Sequence, residues 1–291
     1  MANTSATSNV KHRWPFGIFL FLSAALSWTV WLWPTNRGAF LLSGFGFWFK
    51  IPLPFLQLSI GSCLPGVLAV VWTLCEGKDQ FRRMLATLTK WRTPLRCYLV
   101  AVALPLGAFL VALGAVLLFF PSDHSFFSFF PGIGFLLRLV MILPFAPLWE
   151  EIAWRAFALA KLESRYSRLA SSILLGVYWG MWHIPFWRVQ FHPVPISLFL
   201  AAIINVFALS VIFAYLYHRS SESLPVVILL HAMYDALGPQ VSLVVSRPDV
   251  QMRVIYTLTV LSVCLAVAFA RVLWRTGGWW PRPITAHCSY E

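Results

Sequence analysis

Eight apolar runs fill most of this chain, and they leave it few folds. They cover roughly residues 14–33, 52–75, 97–120, 133–160, 169–189, 195–217, 223–239 and 252–274. The hydrocarbon core of a bilayer is about 30 Å thick, which a helix of about 20 apolar residues crosses. A backbone in hydrocarbon must satisfy its own polar groups, and a helix does so within one run. Composition agrees, with 59% hydrophobic and only 11% charged residues, against about 25% charged in soluble domains. The expected fold is an all-α, polytopic membrane bundle of about eight transmembrane helices around a membrane-embedded polar cavity. No polar linker interrupts the series, so residues 14–275 read as one bundle, flanked by tails at 1–13 and 276–291.

Two stretches do not fit the simple series. Residues 39–49 are apolar but run into Lys50, Pro52 and Pro54, and read as a re-entrant piece or an early start of the second span. Between Lys78 and Trp91, Phe81, Met84, Leu85, Leu88 and Trp91 recur at three- and four-residue steps, with Arg82, Arg83 and Lys90 on the other side. That pattern predicts an amphipathic helix lying on the cytoplasmic face of the membrane.

The net charge of +12 does not indicate nucleic acid. Lys78, Arg82, Arg83, Lys90, Arg92 and Arg96 share one loop, Lys161, Arg165 and Arg168 another, and Lys11 and Arg13 precede the first span. Basic residues concentrated in alternate loops mark the cytoplasmic side and face anionic lipid. Both termini are therefore expected in the cytoplasm, with membrane lipids as partners and no nucleic acid. The five cysteines form no Cys-x-x-Cys pair and read as small core residues.

Against this apolar background the acidic and imidazole groups stand out. Glu150 and Glu151 are adjacent inside the fourth run, with Arg155 four residues beyond Glu151. An ionised carboxylate in hydrocarbon costs about 2.5–3.5 kcal/mol on insertion scales, so such groups face a bundle interior or a water-filled cavity and are functional candidates. On a helix, Glu151 and Arg155 share a face, while Glu150 is turned about 100° away. The spacing suggests a structural pair, Glu151–Arg155, and a carboxylate at Glu150 free for chemistry. The fifth run holds Trp179-x-x-x-His183, and the seventh holds His231-x-x-x-Asp235. In each, a spacing of four puts both side chains on one helical face. Two Glu, two His and an Asp on three spans make a set able to activate water, alone or with a divalent metal.

These three motifs in this order resemble the CPBP intramembrane proteases, the CAAX-protease and bacteriocin-processing family, also called ABI, which includes the type II CAAX prenyl endopeptidases. The resemblance covers roughly residues 130–240. It implies an eight-helix bundle with a membrane-open cavity, and peptide-bond hydrolysis in or near the membrane. It also implies a peptide or protein substrate, in some members prenylated. Carried over, Glu150 and His183 match the residues that activate water, Glu151 and Arg155 the supporting pair, and His231 and Asp235 the last motif. Two positions depart from the usual pattern. Trp179 stands where the family commonly has Phe, and Asp235 where it commonly has Asn. An ionised Asp cannot donate a hydrogen bond to an oxyanion, so Asp235 must be protonated, pair with a cation or bind metal. The donor set Glu150, His183, His231 and Asp235 suits Zn2+, and the sequence leaves open a metal or a metal-free glutamate mechanism. A non-catalytic family member, a proton- or metal-coupled transporter and a lipid-modifying enzyme would share the same polar core.

Overall fold

The computed structural model describes residues 15–34, 39–44, 47–119, 132–190, 195–244 and 248–277. The N-terminal tail with Lys11 and Arg13, the 121–131 loop, and the C-terminal tail from residue 278, including Cys288, lie outside the described residues.

The chain folds as an all-α membrane bundle, with one small hairpin among the described residues. Helix α1 spans Phe16–Leu32, α2 Leu53–Glu76, α3 Lys78–Leu88 and α4 Leu95–Phe119. Next come α5 (Gly132–Ile142), α6 (Ala146–Glu151), a π-helical segment (Ile152–Leu159) and α7 (Ala160–Glu163). The remaining helices are α8 (Arg168–Trp182), α9 (Ile184–Gln190), α10 (Ile196–Arg219), α11 (Leu224–Val244) and α12 (Pro248–Gly277). Among the described residues four segments are long and apolar enough to cross a membrane: Leu53–Glu76, Leu95–Val116, Ile196–Arg219 and Pro248–Arg275. Two shorter apolar helices, Phe16–Leu32 and Leu224–Gly238, join them. Large apolar side chains such as Phe21, Leu99, Leu110, Leu118 and Val260 are exposed on the outer surface, as lipid contact requires. The chain is a multi-pass integral membrane protein.

Three expectations change. The apolar stretch after α1 is not an early start of α2: β1 (Ala39–Gly44) pairs antiparallel with β2 (Phe47–Pro52), from Ala39 opposite Pro52 to Gly44 opposite Phe47. The expected span 133–160 is broken by a turn over residues 143–145, where Pro144 cannot supply the N–H that a continuous helix needs. The expected span 169–189 is broken at His183, between α8 and α9. Pro185 lacks the N–H that would otherwise reach back to the Met181 carbonyl.

Small residues let the inner helices approach one another. Ser27 Oγ donates to the Gly61 carbonyl at 2.8 Å, joining α1 to α2. A Cβ built on Gly66 would lie 2.3 Å from the Trp149 carbonyl oxygen, so only glycine allows α2 this close to α6. Ser210 Oγ donates to the Ser172 carbonyl at 2.9 Å, joining α10 to α8. The main core runs through α1, α2, the π segment, α8, α10 and α11, and includes Phe19, Trp31, Trp154, Phe157, Trp182 and Phe213. A second cluster, including Phe109, Phe135, Met233 and Val254, ties α4, α5, α11 and α12 together.

Helix α3 matches the expected amphipathic helix: Met84 is buried, while Arg82 and Arg83 are exposed. It leads into a strut beneath the α10–α11 turn. Lys90 Nζ donates to the Ser221 carbonyl at 2.6 Å, and Ser223 Oγ donates to the Lys90 carbonyl at 2.6 Å. The turn needs such support, because Ser221 and Glu222 are left-handed, with φ of 57° and 67°, a conformation that costs L-residues energy. Helix α11 starts directly after this turn and carries His231 and Asp235.

Candidate active site

The site is assembled from the end of α6, the π segment, the end of α8 and the middle of α11. Glu150 and Glu151 are the last two residues of α6, and both are buried. Their carboxylates part as the sequence spacing predicts, into two separate hydrogen-bond sets.

Glu151 enters a charged cluster. Its Oε1 accepts from Arg155 Nη1 at 3.0 Å and from His231 Nδ1 at 2.7 Å. Arg155 is fully buried, and its guanidinium lies 4.5 Å from the Trp179 ring centroid and 4.7 Å from that of Phe213. Two aromatic faces thus stabilise the cation where water is excluded. Arg155 lies in the π segment, not in regular α-helix, and π turns recur at functional sites.

Glu150 enters an aromatic set. Its Oε2 accepts from the indole N–H of Trp179 at 2.9 Å and from that of Trp154 at 3.3 Å. Trp154 was not among the sequence candidates. Its signal was the spacing Glu150-x-x-x-Trp154, four residues on one face, obscured by the many tryptophans in this chain. Glu150 is also within electrostatic reach of Glu151, His231 and Asp235.

His183 caps the C-terminus of α8. Its Nδ1 meets the Trp179 carbonyl oxygen at 2.9 Å. A carbonyl only accepts, so Nδ1 carries the hydrogen and Nε2 of the neutral ring is left as an acceptor. The imidazole stacks on Trp187 at 5.1 Å and meets Trp182 edge-on at 4.8 Å. Among the described residues no hydrogen bond joins His183 directly to Glu150; both are held by Trp179, one by its indole and the other by its carbonyl.

His231 is buried, with its ring 5.6 Å from Trp179 and 5.5 Å from Phe213. Its Nε2 lies 3.7 Å from Asp235 Oδ2, beyond hydrogen-bond length but close enough for ionic attraction. The Asp235 side chain is 39% exposed.

A zinc ion needs three or four converging ligands. Among the described residues no three His, Cys, Asp or Glu side chains converge as metal ligands.

Comparison with known proteins places this segment. A family described as type II CAAX prenyl endopeptidase, Rce1-like, matches residues 132–237. A stretch of 80 residues is 38% identical to CAAX prenyl protease 2 of Methanococcus maripaludis. That match covers 26% of this chain and 30% of the relative's length, so the chain aligns with less than a third of that protein.

Proposed function

We propose that this chain, whose residues 132–237 match the family described as type II CAAX prenyl endopeptidase, Rce1-like, is an intramembrane endopeptidase in which Glu150 activates the attacking water. One observation carries the reading: Glu150 is a buried carboxylate with two donors on Oε2 and none on Oε1 among the described residues. Such a group can take a proton from water at a defined atom.

In this reading Glu150 Oε1 removes a proton from water as the water oxygen bonds to the scissile carbonyl carbon. His183, with Nε2 as acceptor, holds the other water hydrogen. The negative charge moves to the carbonyl oxygen, where an N–H on Nε2 of His231 stabilises it. Glu151 orients that imidazole through Nδ1, and Asp235 favours its cationic form. Glu150 then passes its proton to the leaving nitrogen as the C–N bond breaks, giving a carboxylic acid and an amine. Every step uses side chains of this chain, and none is routed through a metal. The proposed substrate is a peptide reached from the membrane, and a prenylated CAAX sequence is the first candidate because the matched family is described by that activity.

The test uses an internally quenched peptide with a farnesylated cysteine fourth from its C-terminus, and the same peptide without farnesyl. The wild-type protein in liposomes should cleave the farnesylated form, and Glu150→Gln should lower turnover by at least about a hundredfold. Full cleavage by a folded Glu150→Gln protein would overturn the assignment. Cleavage of neither peptide, with no new peptide termini in membranes expressing the wild type, would overturn the protease reading. Activity retained after exhaustive chelation supports the metal-free route. Loss on chelation with recovery on adding Zn2+ replaces that route with a metal-assisted one.

A further inference from the structure

We propose that Trp154 and Trp179 act as a two-indole clamp that orients Glu150 and leaves Oε1 as its single proton-accepting atom. This inference rests on the reading of Glu150 as the water-activating group and adds two positioning residues to it.

The geometry has three parts. First, both indole N–H groups donate to the same oxygen, Oε2, at 2.9 and 3.3 Å. A carboxylate oxygen offers about two lone-pair directions, so two donors fill Oε2. The two oxygens of Glu150 therefore differ, and only Oε1 remains for water. Second, the donors come from different elements. Trp154 reaches back one turn along the chain that carries Glu150, while Trp179 reaches across from α8. Rotation of the carboxylate would break one bond or the other. Third, an indole N–H donates and cannot accept. It fixes the carboxylate without competing for the proton that Glu150 must take and return. Both indoles are buried, so no water replaces them.

Trp179 also connects the other parts of the site. Its ring face covers the Arg155 guanidinium, its ring meets His231, and its carbonyl holds His183. Phenylalanine at this position would keep an aromatic face and the carbonyl and would lose the N–H. The Phe-to-Trp departure seen in the sequence thus acquires a chemical meaning: in this chain position 179 supplies a hydrogen-bond donor to Glu150.

The experiment measures kcat and KM on the farnesylated quenched peptide for Trp179→Phe, Trp154→Phe and the double variant. A fourth protein carries benzothienylalanine at position 179, which keeps the two fused rings and lacks only the N–H. Loss of a hydrogen bond to a charged group should lower kcat about tenfold or more for Trp179→Phe, with KM changed less than about twofold. The benzothienyl protein should match Trp179→Phe. Trp154→Phe should lose less, because its bond is longer. The double variant should lose more than either single one. A wild-type kcat in both position-179 variants would overturn the clamp, as would a change confined to KM. Failure of both position-179 variants to fold would also overturn it, by making Trp179 a residue of the fold alone. Glu150→Gln separates this failure from that of the reading beneath it. If Glu150→Gln is inactive and Trp179→Phe has full kcat, only the clamp fails; if Glu150→Gln is fully active, the role of Glu150 fails.

Discussion

Two regions of this molecule pair carboxylates with cationic groups, and they do so in opposite surroundings. In the membrane-embedded site, Glu151, Arg155 and His231 are all buried. At the α3 end of the bundle, Lys161 Nζ meets both Glu76 oxygens at 2.5 and 2.6 Å, with side chains 34% and 13% exposed. Nearby, His218 Nε2 lies 2.6 Å from Glu163 Oε1, with the histidine side chain buried and Glu163 21% exposed. The contact lengths are alike, but the energies are not. Water screens the second region and rehydrates either partner if the other is lost. In the first region a surviving charge stays in a medium that cannot solvate it. Distance alone therefore says little about how strongly an ion pair holds this fold; burial decides.

The largest effect should come from dividing the buried pair. Arg155→Met removes the cation and its two aromatic contacts and leaves Glu151 with His231 alone. Breaking a buried pair costs about 3–5 kcal/mol, enough to lower the melting temperature in detergent by about 5–8 °C or prevent folding. Glu151→Gln combined with Arg155→Met should recover part of this loss, because no carboxylate is left uncompensated. A double variant less stable than Arg155→Met would break the comparison, since it would make Glu151 stabilising without its cation. Among the described residues Arg155 Nε and Nη2 and Glu151 Oε2 have no hydrogen-bond partner, which sharpens the expectation.

A smaller effect should separate close packing from charge. Gly66→Ala adds one methyl group against the Trp149 carbonyl, which is backbone and cannot rotate away. Overpacking of this kind costs about 1–3 kcal/mol, and the strain falls on the residue next to Glu150. Peptide turnover should fall more than stability does. Gly107→Ala is the control, because a Cβ there meets nothing within 4 Å. Equal losses in the two variants, read by melting temperature and turnover, would show that the α2–α6 approach does not set the position of Glu150.

What could be read from the sequence follows from the range of the interactions. The membrane spans were legible because hydropathy acts along the chain, and observed helices such as α2 and α10 lie close to the expected runs. Glu151–Arg155 was legible because four residues along one helix bring them together. The break at Pro144 was missed because an apolar run looks continuous whether or not its hydrogen bonds are. The β1–β2 hairpin was missed because its strands are as apolar as a span. The bond from His231 to Glu151 joins residues 80 apart, and that from Trp179 to Glu150 joins residues 29 apart. Spacing on one helix cannot reveal contacts that depend on how two helices face each other. Asp235 shows the converse limit: hydropathy placed it within a span but could not say that its carboxylate lies 3.7 Å from His231 Nε2.

The smallest expected effect lies in the second region and tests the comparison from below. Lys161→Met removes the partner of Glu76 and leaves a carboxylate that water can reach. A partly exposed pair contributes about 0.2–1 kcal/mol, so the melting temperature should fall by no more than a few degrees and turnover should stay at the wild-type level. The loss should shrink further in high salt, because screening weakens exposed charges first, whereas the penalty of Arg155→Met should be nearly independent of salt. The 5.4 Å approach of Lys161 Nζ to the Phe157 ring gives the lysine a second anchor in the π segment. If Lys161→Met destabilised the protein as much as Arg155→Met does, this anchor would outweigh the ion pair. The basal pairs would then have to be counted among the interactions that hold the π segment, and with it Arg155, in place.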